Sequence, residues 1–576
     1  MLAFMEELAQ QWDLLDFMPI RGLYTWSNNR TGPEHISAQL YRFRVQGSLI
    51  MDKKIIKSKN LPKLASDHKP IQLLLEHEED LGPLPFCFTP LWIKREGFFE
   101  TVKEARTKTF SGSSSFVWEQ KLKTTKQALK EWIRKPVPTP TRVRKEAVYT
   151  LETLQTKMER KEITAELLEQ EIKAQSSTYQ SFLKEEEYWR IKSKSLWLKA
   201  GDQNTSFFHR QYRARLNMNH ISKIRITEDH VNKGFTQVKA TADNYFKNLF
   251  SEGTQDSKGK IAEFLSNIPH LINPEDNVVL TREVTEEEII KIIWSMESDK
   301  VPGPDRFTIH FCKVYWNNIK RDLLKLIKGF MRKAKIGGGT NSTYLALIPK
   351  ESNPETFVIF RPISLCNASY NILAKLLASR IKPLLKKLIS SPQGGFLEGR
   401  HILDNVIQVQ ETIHTSMKRN EKGMLIKLYM ANAFDRVNRS FLIRVLVTFG
   451  FSPHFVQLIN ACINNPWIAP LVNGCPSNFF QARRGIRQGC PLSPFLYILM
   501  ADTLSRKLTA ERIPGSLPGL KSSTDAVPLN HALFADDSLL LEGVSPGIAK
   551  GFDSVLKSYC RVTGALINEK KSEIYS

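Results

Sequence analysis

The chain has 576 residues, enough for several domains, and its 41% hydrophobic content allows most of it to bury a core. Its 82 basic and 59 acidic residues leave a net charge of +23, a surplus that is self-repulsive without an anionic partner, nucleic acid first among them, although a merely soluble basic surface is the plainer alternative. The 7 cysteines form no CxxC pair or Cys/His cluster, and no apolar run approaches the ~20 residues of a membrane span, which argues against a zinc site and a spanning helix and for a reducing, intracellular setting in nucleus or cytoplasm.

The first seventeen residues, MLAFMEELAQQWDLLDF, lack the basic start and cleavage site of a signal peptide and read as an amphipathic helix or the middle of a fold. Residues 1–100 mix short strand-like pieces and turns, including GLYTWSN and LPKLASDHKPIQLLL. From about 101 to 220 apolar residues recur at helical spacing among dense lysine and glutamate, the pattern of helices with solvated faces. A proline-rich basic link, RKPVPTPTRVRK (134–145), divides this region. It ends in WLKAGDQNTSFFHRQYRARLN, where Trp197, Phe207, Phe208 and Tyr212 interleave with cations, suiting either base stacking or a core.

Beyond this, NHISKIRITEDHVNKG reads as a hairpin, and VTEEEIIKIIWSM as a helix opened by a Thr285/Glu288 capping box. From about 300 strands and helices alternate. VPGPDRF is a loop, TYLALIPK and FVIFRPISL are paired strands, and residues 367–388 form one long amphipathic helix. MLIKLYM is a buried strand, residues 434–450 a helix, and RRGIRQGCPLSP a loop running into another helix. Then comes HALFADDSLLLEG, two short strands about a tight turn that carries Asp536 and Asp537. Aspartate is common in turns, since it bonds nearby backbone and tolerates unusual dihedrals. The sharper reading is a metal site. Mg²⁺ takes hard oxygen ligands, commonly one or two carboxylates plus substrate phosphates, and two such ions about 3.5–4 Å apart clamp the attacking and leaving oxygens of a phosphoryl transfer.

The ordered series VPGPDRF, LIPK…FRPISLCN, QGGFLEGRHILDN, LKLYMANAFDRVN, RRGIRQGCPLSP, FADDSLLL and GALINEKKS resembles the reverse transcriptase of LINE-type non-LTR retrotransposons, the plant branch above all. FADD alone is a weak signal; the set in this order is a strong one. The resemblance implies an α/β (α+β) right-hand polymerase, with fingers and an antiparallel palm sheet at 280–576 and the thumb missing. A mostly helical basic connecting region lies at 101–279. Residues 1–100, with YTWSN and LPKLASDHKPI, resemble the C-terminal remnant of the apurinic-type endonuclease that precedes the polymerase in such elements.

The same resemblance implies roles. Asp536 and Asp537 match the paired palm aspartates that hold Mg²⁺, or Mn²⁺, with Asp536 the better direct ligand. Arg361 matches the fingers arginine that would grip the incoming dNTP, with Lys350 as a nearby cation. Gln488 and Gly489 match the loop beneath the template and nascent base pair. Phe434 matches the aromatic under the sugar, and Lys571, beside Asn568, the late motif that assists the pyrophosphate leaving group. Asp67 and His68 match the endonuclease pair that polarises water. The implied partners are an RNA template, a DNA primer and dNTP.

The family's remaining metal-binding aspartate, on the strand before AFDRVN, is replaced by Tyr429. Asp435 lies six residues on, about 20 Å along a strand or about 9 Å along a helix, out of reach of a site whose Mg–O bonds are about 2 Å. A neutral phenol, with a pKa of about 10, is a poor Mg²⁺ ligand. Tyr41 likewise stands where the endonuclease resembles RLDRF, Arg306 replaces the glycine expected after PGPD, and Ile359 replaces an acidic residue. The expectation is a reverse transcriptase-like protein of a decayed element with weakened metal binding and little or no polymerase activity; the alternative is a non-catalytic RNA- or DNA-binding protein.

Overall fold

The computed structural model describes residues 88–134 except 94, residues 140–160 and 165–193, residues 219–575 except 229, 252–257, 352–353 and 514, and shorter pieces between 7 and 77. The aromatic-cationic stretch around Phe207 and Tyr212 lies outside the described residues, as does Ser66. The N-terminal pieces pair antiparallel: Leu14–Phe17 with Phe43–Gln46, Trp26–Ser27 with Ser37–Ala38, and Lys54–Asn60 with Ile71–His77. They close on a small core of Val45 and Ile56 with Leu15, Phe43 and Leu73.

Helices α1 (Phe98–Thr107) and α2 (Ser114–Arg134) bury Phe98 and Val102, and Trp118, Leu122, Leu129 and Trp132, at the i, i+4, i+7 spacing of one helix face. Arg106 and Lys121 both reach Asp322, at 2.9 Å each, tying this pair to the helix Trp316–Lys333. Helices α3 (Pro140–Arg160) and α4 (Ala165–Ser193) pack on each other through Arg144–Glu185. The expected link over 134–145 is thus shorter. Helix begins at Pro140, because a proline in the first turn needs no N–H donor.

Lys223–Arg225 and Val231–Lys233 form the expected hairpin. Helix α5 (Glu286–Ser295) is capped by Thr285, whose hydroxyl accepts from the Glu288 N–H at 3.2 Å. The reciprocal half of the box does not form. Glu288 turns away to accept both Nε and Nη2 of the buried Arg380, at 3.1 and 2.9 Å, and a charged fork outweighs a cap. Strands β1 (Ser342–Pro349) and β2 (Phe360–Cys366) pair antiparallel as expected, with residues 357–359 in a 3₁₀ turn rather than strand.

The helix expected over 367–388 is α6 (Ala368–Ile381), followed by a 3₁₀ turn at Lys382–Leu384 and a last turn at Leu385–Leu388. Pro383 has no N–H to continue the ladder. Nor is α6 amphipathic: it is buried almost all round, with Tyr370, Ile372, Leu373, Leu376 and Leu377 in the core.

Strand β3 (Gly423–Tyr429) is half-buried, only Leu428 being fully so, where a buried strand was expected. The helix expected from 434 starts five residues later, as α7 (Arg439–Phe449), because Asn438 caps it and residues 431–436 turn. Helix α8 (Pro453–Ile463) leads to β4 (Trp467–Val472), which runs parallel to β1 in the fingers sheet. Helix α9 (Ser493–Arg512), strands β5 (His531–Phe534) and β6 (Asp537–Gly543), helix α10 (Pro546–Thr563) and strand β7 (Glu573–Tyr575) complete the palm. Its sheet has the antiparallel order β5-β6-β3-β7. One apolar core extends from Phe88 to Val562, so α1 and α2 share the core of fingers and palm.

Arg306, where a glycine was expected, has φ +69, the left-handed region that costs an L-residue about 1 kcal/mol. Its guanidinium stacks 4.7 Å from the Tyr344 ring centroid, which offsets part of that.

Candidate active site at the palm hairpin

The β5–β6 hairpin turns tightly, Phe534 pairing with Asp537 across Ala535 and Asp536. Ala535 carries φ +56 and is held there by its surroundings. Its N–H donates to Gln393 Oε1 at 2.9 Å, which also accepts from the Gly395 N–H at 2.9 Å. Gly394 N–H donates to the Leu533 carbonyl and Leu533 N–H to that of Pro392, at 2.9 Å each, and Asn405 Nδ2 adds a third bond at 2.9 Å. A Cβ on Gly395 would lie 2.5 Å from Ala535 N, so only glycine permits this approach. The QGG segment thus fixes the turn that bears the two aspartates.

Asp537 begins β6 and is registered directly opposite Tyr429, the last residue of β3. Opposed residues of an antiparallel pair project from the same face, with Cα atoms about 4.5–5.5 Å apart. The phenol therefore occupies the position facing the acidic hairpin. Tyr429 is fixed by its backbone: its N–H donates to Ser572 Oγ at 3.2 Å and its carbonyl accepts from the Asn568 N–H at 2.8 Å. Two residues back on the same face, Lys427 Nζ sits 5.1 Å from the Tyr429 ring centroid. The Asp537 carboxyl is raised above its ordinary range by burial and by Asp536, with Lys427 opposing. Behind the pair, Tyr497 is buried and stacks on Phe434 at 4.7 Å and 14°. Its phenol is pushed well up by burial, then by Tyr559 and by the two aspartates.

Asp435 does not join the hairpin acids. It is buried beside Lys350 and Arg484, and burial raises its carboxyl to about 7 against the pull of those cations. Lys350 is depressed by desolvation and by Lys571 and Arg361, with Asp435 opposing. Lys350, Arg361 and Lys571 are thus brought within electrostatic range of one another from β1's end, β2 and the loop before β7. Among the described residues no group of three or more His, Cys, Asp and Glu side chains is placed to hold a metal ion. Two adjacent carboxylates facing a phenol do not fit a two-ion cradle.

Gln488 and Gly489 lie against β2, where the Gln488 carbonyl accepts from the Ser364 N–H at 2.8 Å. Gly489 has φ +100, and a Cβ there would make ordinary contact, 3.4 Å from the Ser364 carbonyl, so the backbone conformation is what calls for glycine. In the N-terminal pieces, Asp67 Oδ2 accepts from Trp26 Nε1 at 2.7 Å, and its Oδ1 lies 3.8 Å from His68 Nε2. The Tyr41 and His68 ring centroids are 5.3 Å apart, so this second tyrosine lies beside the acid-histidine pair. Sequence reasoning missed Gln393, Lys427 and Tyr497. Strand alternation from Tyr429 was signal enough for Lys427, and the quoted QGG motif for Gln393; nothing local marks Tyr497.

A hairpin-borne acid pair on an antiparallel sheet, with cations gathered from an adjoining fingers sheet, defines a polymerase-type palm. Residues 348–576 match the family described as reverse transcriptase (RNA-dependent DNA polymerase). The chain is similar to the transposon TX1 uncharacterized 149 kDa protein of Xenopus laevis, 25% identical over 371 residues, covering 64% of this chain and 28% of the relative. It is similar to the Pol polyprotein from type-1 retrotransposable element R2 of Popillia japonica, 25% identical over 292 residues, 50% of this chain and 39% of the relative. A shorter match, 43% identical over 68 residues, links 12% of this chain to 56% of an uncharacterized mitochondrial protein of Arabidopsis thaliana. The chain thus spans well under half of the first two relatives. No described helix is long and apolar enough to cross a membrane.

Proposed function

We propose that the chain is the reverse transcriptase-like part of a decayed LINE-type element of plant kind, which retains a grip on nucleic acid and nucleoside triphosphate and has lost most of its nucleotidyl transfer. The ancestral reaction is template-directed attack of a primer 3′-hydroxyl on a nucleotide α-phosphate, with pyrophosphate leaving. The observation that carries the reading is the register of Tyr429 against Asp537. Of the family's metal ligands only Asp536 and Asp537 would remain here, short of a two-ion cradle. Lys350, Arg361 and Lys571 would hold the triphosphate, and Phe434, Gln488 and Gly489 would line the nascent pair. Residues 1–100 are the endonuclease remnant in this reading, with Asp67 and His68 kept and Tyr41 beside them, and residues 101–279 connect it to fingers and palm at 280–576.

Primer extension on an RNA template, with Mg²⁺ or Mn²⁺, tests it. A lost ligand worth about 4 kcal/mol in the transition state lowers the rate roughly a thousandfold. Tyr429→Asp should restore extension, and wild-type extension equal to that of the variant would refute the reading. A second reading, a binding protein without turnover, is favoured by the same three cations. It predicts RNA affinity that falls steeply with salt in both proteins and no extension by either.

A further inference from the structure

A crevice distinct from the hairpin site opens between α7, α8, the strand Phe480–Gln481 and the end of α10. It offers about 960 Å³ to water, is partly open to solvent, and shares no residue with the acid pair or with Lys350, Arg361 and Lys571. Its lining includes Arg436, Arg439, Arg444, Arg483, Arg484 and Arg561, with asparagine and glutamine amides from α8 and the neighbouring strand. No Asp, Glu or Lys among the described residues lines it.

The arginines divide by role. Arg439 is buried and spends its donors on the carbonyls of Gly485, Ala482 and Arg484, at 2.8 Å each, and so builds the floor. Arg436 and Arg484 each give Nε to a carbonyl, of Gly564 at 3.2 Å and Leu249 at 2.8 Å, which aims their guanidinium groups. Arg444 and Arg561 stand exposed at the rim. Arg484 is depressed first by burial and then by Arg436, with the buried Asp435 opposing, so the two guanidinium groups repel each other. Like charges gathered in a concave site with amides, no acid among its described lining residues and only the buried Asp435 behind them, call for a polyanion.

We propose that this crevice binds the sugar-phosphate backbone of a single RNA strand. Arginine forks suit phosphates, and amides suit the 2′-hydroxyl as donor and acceptor. Among the described residues no aromatic lines the crevice, so the proposed contacts are to the backbone and binding is indifferent to sequence. The inference rests on the nucleic-acid reading above and adds a second site to it.

The test is fluorescence anisotropy of a labelled oligouridine with the full chain, titrated with salt. It compares wild type, Arg444→Ala/Arg561→Ala at the rim, and Arg332→Ala/Lys333→Ala on an exposed helix end elsewhere. Each lost contact to a single strand lowers the slope of log K against log [salt] by about 0.7, so the rim variant should lose about 1.4 and bind about 25-fold more weakly at 0.1 M salt, with 1 M as the reference. The second variant should match wild type. Equal losses in both variants, or none in the rim variant, overturn the crevice while leaving nucleic-acid binding intact. Failure of wild type to bind at low salt overturns both. Wild-type binding of a polyglutamate peptide as tight as that of RNA, lost in the rim variant, would reassign the crevice to an acidic protein partner.

Discussion

Restoring a carboxylate at position 429 should make the stability of the palm depend on divalent metal. In Tyr429→Asp the new acid stands across the β3–β6 pair from Asp537, with Asp536 beside it. Two charges about 5 Å apart at an effective dielectric of 20 repel by about 3 kcal/mol. Asp537 is exposed, and Lys427 lies on the same face, so solvent and that ammonium reduce the net cost to about 1 kcal/mol. The backbone bonds to Ser572 and Asn568 do not involve the side chain and persist. In chelator, then, the variant should melt below wild type. If the restored site binds Mg²⁺ with a Kd of about 1 mM, 10 mM Mg²⁺ stabilises it by about 1.4 kcal/mol, RT ln 11. For a domain of 150–250 residues that raises Tm by about 3–6 °C. Thermal unfolding followed by circular dichroism in chelator and in Mg²⁺ measures both terms. The reasoning fails if wild type gains as much from Mg²⁺ as the variant, or if the variant gains nothing.

Gln393→Ala leaves the buried N–H groups of Ala535 and Gly395 without their acceptor and should cost about 2 kcal/mol by urea denaturation. Arg306→Ala keeps the left-handed strain and loses the contact with Tyr344, a loss of about 0.5–1 kcal/mol, whereas Arg306→Gly relieves the strain and should have a urea midpoint above that of the alanine variant. Asp435, whose carboxyl is raised to about 7 in the fold, binds a proton there that the unfolded chain releases near pH 4. Its contribution therefore declines as pH rises from about 4 to 7, and Asp435→Asn should be more stable relative to wild type at pH 7 than at pH 4, by up to about 4 kcal/mol in paired denaturation curves.

The palm strands and their order along the chain were legible because alternation and turn residues are local signals, and the 219–234 and 531–543 hairpins follow from them. Helix limits were less so. The stop at Pro383 and the starts at Pro140 and Arg439 depend on single residues, a proline ring or an asparagine cap, that a long apolar pattern overrides when read by eye. The burial of α6 on every side was hidden because Lys375 and Arg380 lend it an amphipathic look, although Arg380 is paired inward to Glu288. At the site, the resemblance to the polymerase family named Lys350, Arg361 and Lys571, and the fold brings them into one field. Tyr497 was invisible because its meeting with Phe434 crosses 63 residues of chain and depends on helix packing alone.

The substitution at 429 separates the requirements of folding from those of chemistry. Tyrosine suits a strand at least as well as aspartate does, and here it gains an ammonium over its ring and removes a like charge from the hairpin. The exchange is thus neutral or favourable for the sheet while, on the function proposed above, it removes an oxygen ligand from the reaction centre. Strained, like-charged clusters at functional sites are where stability is usually given up, so relief at 429 fits a fold that outlasts its catalysis. The Lys350, Arg361 and Lys571 cluster points the opposite way. These cations depress Lys350 and oppose folding, with the half-protonated Asp435 as weak compensation, so packing alone does not account for all three. A phosphate-bearing ligand would account for them, and the chain on this argument still has something anionic to hold.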